Sequence, residues 1–204
     1  ALFGTGPFRW PALKKALEQS NWKDLGGQES WGRFNLRATD PARSNSGQLA
    51  MLLWLRSQGR DQAIDLWRRA LYQPPRSTDI LLREFIATGP NDGDVAFVYE
   101  SIALSRMDEA RQRQGSSYTI LAPDPSYETV LEAAVLEGKA NGRLADGASF
   151  IRFLRSDAQQ QLLMDWGFRS HDGRLPANAQ TIQVLPSPDQ TERDRGLRLW
   201  TAAP

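Results

Sequence analysis

The chain of 204 residues has no cysteine and one histidine. The first absence excludes disulfides, thiolate metal sites and a cysteine nucleophile. His171 sits in "RSHDGR" beside Gly173, the composition of a surface loop. With no spaced acids or cysteines around it, it supports neither a metal centre nor acid–base catalysis. Charge of one sign is also lacking. The 25 Lys and Arg against 24 Asp and Glu leave a formal net charge of +1, so nothing global favours nucleic acid or an anionic membrane. Arg68-Arg69 is a solvated helix face rather than part of a basic block. Apolar runs stay well short of the roughly 20 residues that span a bilayer. The start, "ALFGTGPFRW", lacks the basic and apolar regions of a signal peptide, so the chain is expected to be a mature or excised piece of something longer. Internal repeats and low-complexity segments are missing too.

What is present suits a globular protein. Hydrophobic residues make up 40% and charged residues 24%, with seven Trp and eight Phe to bury. The length fits one large or two small domains. "PALKKALEQS" carries Pro at a helix start and Leu13, Ala16 and Leu17 at helical spacing. "GRFNLRAT" alternates Phe34, Leu36 and Ala38 with polar neighbours, which predicts a strand over Phe34 to Ala38. A turn then leads into a helix closed by Gly59. Asp61 is expected to cap a second helix that ends before Pro74-Pro75, and Ser77 or Thr78 to start a third, closed by Gly89. "GDVAFVYES" is nearly all apolar and predicts a strand at Val95 to Val98 buried on both faces, as in a parallel sheet. One helix should follow to about Gln114. A further strand is expected at Ser117 to Leu121, ended by prolines. "YETVLEAAVLEG" has helical content but permits a strand. "GASFIRFLRSDAQQQLLMDWGF" predicts two helices meeting at a kink near Asp157, and the polar C-terminal stretch a short helix. Strands alternating with helices point to an α/β layered fold with a mostly parallel sheet flanked by helices. In such sheets ligands lie beyond the carboxyl ends of strands.

One stretch at such an end stands out: "TDPARSNSGQLAMLLWL", Thr39 to Leu55. The first turn of a helix leaves backbone N–H groups unpaired, and the helix dipole makes that end an anion site. Ser44, Asn45, Ser46 and Gly47 add neutral donors and let a ligand approach the backbone. Asp40-Pro41 sets a turn just before them. The plainer alternative is a helix cap, in which Asn45 and Gln48 form a capping box. Tyr99 and Glu100 end the second buried strand. Tyr99 offers a hydroxyl and a cleft wall; Glu100 repels an anion unless an arginine neutralises it, and otherwise favours the start of the next helix. "GTG" at Gly4 to Gly6 does not complete a nucleotide motif, and Ser44 and Ser46 lie outside a nucleophile elbow. No catalytic constellation, metal set or cofactor motif emerges, and the chain is not expected to be an enzyme.

Taken in order, four segments resemble the type II periplasmic-binding-protein superfamily. The likeness is to bacterial extracellular solute-binding domains of the sulfate/molybdate-like class, which often accompany von Willebrand factor A domains. The segments are "WKDLGGQESWGRFNLRATDPARSNSG", "GDVAFVYES", "ILAPDPSYETVLEAAVLEG" and "ASFIRFLRSDAQQQLLMDWGFRS", collinear from about Trp22 to Pro176. The resemblance implies two α/β lobes closing over a solute, with Ser44 to Gly47, Asp40, Tyr99 and Glu100 at the ligand side of the second lobe. It implies residues 1–118 as that second lobe, 119–176 as a return segment toward the first lobe, and 177–204 as a C-terminal tail or linker, so the unit is an incomplete two-lobe one. The expected ligand is a small anion such as an oxyanion, or a compact polar solute. The expected location is periplasmic or extracellular. Expected partners are an ABC transporter or a von Willebrand factor A domain, and no nucleic acid. The rival reading is an interaction domain of a larger surface protein that kept the fold and lost the ligand.

Overall fold

The computed structural model of the chain describes residues 2–4, 6–59, 61–115, 118–135 and 143–202. In chain order the elements are α1 (Trp10–Gln19), β1 (Leu36–Arg37), α2 (Asn45–Gln58), α3 (Ala63–Ala70), α4 (Thr78–Thr88), β2 (Val95–Ala96), α5 (Glu100–Ser105) and α6 (Met107–Gln114). After them come β3 (Ser126–Tyr127), α7 (Arg143–Leu154), α8 (Asp157–Asp165), β4 (Val184–Leu185) and α9 (Gln190–Thr201). The two expected strands pair in parallel, Leu36 with Val95 and Arg37 with Ala96, but β2 is half-buried rather than buried on both faces. The β3–β4 pair is parallel as well. The sheets are therefore two short parallel pairs flanked by helices.

Helix boundaries follow the punctuation. Gly59 closes α2 at φ 65°, in the left-handed region that suits glycine. Ser77 caps α4, its hydroxyl accepting from the Ile80 amide. The apolar run after Gly47 makes α2 buried almost all round, from Ser46 to Trp54, as a helix at the centre of a core must be. Around it the main core gathers α1, α3 and the strand ends. Trp54 and Trp67 are essentially fully buried and stack at 5.9 Å. Trp10 stacks on Phe97 at 5.8 Å, and Phe8 meets Phe97 edge-on at 5.5 Å. Such ring pairs add about 0.5–1.5 kcal/mol each beyond area burial. They fix β2 against α1 and α3.

Several expectations need correction. The strand at Ser117 to Leu121 does not form: Ser117 lies outside the described residues, and 118–121 join no strand. The chain here is held singly, by a bridge between Phe8 and Pro123 and by the Gln180 side-chain amide, which donates to the Ile120 carbonyl and accepts from the Ala122 amide. The segment 128–135 is neither helix nor strand and is mostly exposed; the end of that stretch, 136–138, lies outside the described residues. The helix after Tyr99 is two helices, broken at Arg106, whose guanidinium is turned aside to ion pairs with Asp79 and Glu109. Asp61 does not cap α3, whose N-cap is Gln62; it bonds Arg195 at 2.5 Å instead. That helix ends at Ala70, ahead of the prolines. The kink near Asp157 is present, with Ser156 as N-cap.

The stretch 177–204, expected as a tail or linker, carries β4 and α9, and α9 packs on α2 and α3. Gly196 permits this. A Cβ there would stand 2.8 Å from Leu52 Cδ2. Arg68 donates to the carbonyls of Leu199, Trp200 and Ala202, satisfying the last turn of α9 with a cation where the dipole favours one.

Candidate functional site

The β1–α2 corner is built from hydroxyls. Thr39, wholly buried at the end of β1, donates to Ser44 Oγ at 2.9 Å and lies 3.0 Å from Ser46 Oγ. Ser44 and Ser46 are 3.0 Å apart, and Ser46 reaches Thr78 Oγ1 at 2.5 Å. Asp40 shapes the approach: its Oδ1 accepts from the Ala42 amide at 2.9 Å and its carbonyl from the Ser44 amide. Gly47 is required. A Cβ there would stand 2.2 Å from the Thr39 carbonyl oxygen, so only glycine lets α2 sit this close to the strand end.

The capping box does not form. Ser44, not Asn45, is the N-cap residue, with extended backbone, and it makes no side-chain cap bond because its hydroxyl is held by Thr39 and Ser46. Among the described residues the amides of Asn45, Ser46 and Gly47 therefore find no acceptor. Asn45 is exposed, whereas Ser46 and Gly47 are buried.

Around this turn the structure brings together Asn45 and Tyr99, the latter at the N-cap of α5. Asn45 Nδ2 donates to the Tyr99 hydroxyl at 2.9 Å. The starts of α2 and α5 thus meet just past the carboxyl ends of β1 and β2. Glu100 is neutralised: Arg169 Nε and Nη2 reach its two oxygens at 2.8 and 3.1 Å, and this bond is the main reason the Arg169 pKa is raised. Arg169 also donates to the Gln180 carbonyl. From α9, Arg193 Nη1 donates to Asn45 Oδ1 at 3.0 Å and to Gln48 Oε1 at 2.6 Å, and Trp200 Nε1 donates to Asp40 Oδ1 at 3.0 Å. Beside them the Tyr127 hydroxyl donates to Glu192. Burial first, and then the Glu192 charge, pushes the Tyr127 phenol above its ordinary value.

Thr39, Thr78, Arg169 and Arg193 are site neighbours that sequence reasoning missed. Thr39 could have been found from the strand end; the others come from 32 or more residues away with no local signal. Two grooves lie away from this turn. A groove of about 670 Å³ runs between Leu104, Met164, Gly167 and the loop from Arg174 to Asn178. A smaller one of about 180 Å³ is lined by Pro7, Ala122 and Gln180. Among the described residues no group of three or more acids and histidine could hold a metal, and no helix is long and apolar enough to cross a membrane.

In a parallel α/β unit, helix starts meeting past the strand ends lie where such folds take their ligands. The family model for bacterial extracellular solute-binding proteins matches residues 9–169, and the chain belongs to that family. No curated protein and no solved structure matches it. The family makes the chain an extracellular solute-binding domain with a periplasmic-binding-like α/β fold.

Proposed function

We propose that the chain is the second lobe of a periplasmic or extracellular solute-binding protein and is not an enzyme. Its solute is a small anion or compact polar molecule, taken at the first turn of α2 and enclosed by a first lobe. Asn45, Ser46 and Gly47 offer backbone amides, and Asn45 and Tyr99 offer polar side-chain groups. Ser44 and Asp40 hold the turn in shape, and Glu100 stands neutralised by Arg169. The observation that carries this reading is the set of three amides without acceptors beside the Asn45–Tyr99 contact at the strand ends. An ABC transporter or an attached von Willebrand factor A domain is the partner that fits such a lobe.

A second reading, a domain that kept the fold and lost its ligand, is favoured by one observation: the Ser44 and Ser46 hydroxyls are already occupied by Thr39 and Thr78. A thermal-shift screen against sulfate, molybdate, phosphate, divalent metals and amino acids separates the two. A ligand at a hundred times its Kd stabilises by about 2.7 kcal/mol, or roughly 5–10 °C in a domain of this size. No shift with any probe refutes the binding reading.

A further inference from the structure

Arg193 lies outside the span matched by the family model, which ends at residue 169, yet it reaches the first turn of α2. Its described partners are all neutral oxygens: Asn45 Oδ1, Gln48 Oε1 and the Pro188 carbonyl. Among the described residues no carboxylate pairs with it, although fourteen ion pairs form elsewhere. A cation next to the positive end of a helix dipole gains nothing from that position, so its hydrogen bonds must explain it.

Guanidinium only donates. Asn45 must therefore turn Oδ1 toward Arg193, and this leaves Nδ2 to face Tyr99, as observed. A Tyr99 oxygen that accepts from Asn45 keeps its own proton. No described residue accepts that proton. Were the amide reversed, Tyr99 would donate to Asn45 Oδ1 and offer a solute only lone pairs. The orientation of one amide decides whether Tyr99 presents a donor or an acceptor.

We infer that Arg193 is a positioning residue of the solute site. By fixing the Asn45 amide it makes Tyr99 a hydrogen-bond donor, and so selects a solute that presents a hydrogen-bond-accepting oxygen, such as that of an oxyanion. This rests on the solute-binding reading of the α2 turn. It adds a residue from α9 and the polarity of the ligand atom that meets Tyr99.

The test is calorimetric titration of the wild type, Arg193→Met, Arg193→Lys, Tyr99→Phe and the double variant with sodium sulfate, sodium molybdate and sodium phosphate. Thermal melts of each variant confirm folding. The expected result is a loss of about tenfold in affinity for Arg193→Met and for Tyr99→Phe. The double variant should be no weaker than the worse single one, because both changes remove the same donated proton. Arg193→Lys, which keeps an N–H donor, should restore most of the affinity. Losses that add in the double variant, or no loss in Arg193→Met, overturn the positioning role while leaving the site standing. Unchanged affinity in Tyr99→Phe overturns it even if Arg193→Met does not fold. A wild type that binds none of the three anions refutes the anion reading of the site itself, and the inference falls with it.

Discussion

Gly47→Ala is the substitution for which the structure and residue propensity disagree most. In an ordinary helix, replacing Gly by Ala stabilises by up to ~1 kcal/mol. Here the added methyl would lie 2.2 Å from the Thr39 carbonyl oxygen, 2.8 Å from its carbon and 2.8 Å from Oγ1. Those atoms are backbone and a hydroxyl already bonded to Ser44 and Ser46, so no flexible side chain can swing away. Overpacking of this kind costs about 1–3 kcal/mol. Pushing Thr39 aside also strains hydroxyl bonds worth ~1 kcal/mol each. After the propensity gain, the net loss should be about 2–3 kcal/mol. In a chain of this size that lowers the melting temperature by roughly 5–10 °C. Circular dichroism melts of the wild type and variant at equal concentration measure it directly. An alanine variant as stable as the wild type, or more so, would refute the claim that glycine is required for the approach of α2 to β1.

Three further outcomes follow from the same geometry. Ser46→Ala should cost about 1–3 kcal/mol in urea unfolding, because a buried hydroxyl contacting Thr39, Ser44 and Thr78 disappears and its partners are left short. Glu100→Gln should lower stability by about 1–2 kcal/mol in the same assay, since half-buried Arg169 loses its carboxylate. The third is a pH effect. The Asp79 carboxyl is held below its ordinary value of 3.8, first by the Arg106 hydrogen bond and then by Arg83. The folded state therefore binds fewer protons, and this stabilisation is complete above the ordinary value and lost as pH falls through the depressed one. Melts of Asp79→Asn across the acid range should show its deficit against the wild type shrinking as pH drops. A deficit that stays constant would contradict the ion pairs.

Local punctuation carried far in this chain, and long-range docking did not. β1 and β2 were legible because Phe34, Leu36 and Ala38 alternate and because 95–98 is an uninterrupted apolar run. α2 and α4 were legible from Ser77, Gly59 and Gly89. The polar run does start a helix, but the N-cap is Ser44, one residue before the Asn45 that the local pattern suggests. The Ser44 hydroxyl answers to Thr39 across the corner rather than to its own helix. A strand needs a partner as well as strand-like residues, which is why 118–121 stays unpaired despite its content. α9 forms in the C-terminal stretch where a short helix is expected, but its docking was not visible. Its sequence is polar, and its place depends on Gly196 fitting against Leu52 and on Arg68 closing its end. No pattern within a window of a dozen residues encodes either.

The separation between Arg193 and Asn45 also sets a timetable. The two are 148 residues apart, and Trp200 and Asp40 are 160 apart. α2 and α3 are consecutive elements that pack on each other and can do so as soon as they are made, whereas contacts so distant along the chain form late and slowly. At a synthesis rate of about 5–20 residues per second, Arg193 is added to the chain roughly 7–30 s after Asn45. For that interval the α2 turn exists without its lock, and the Asn45 amide is free to face either way. The polarity of the site is thus acquired well after the turn that carries it.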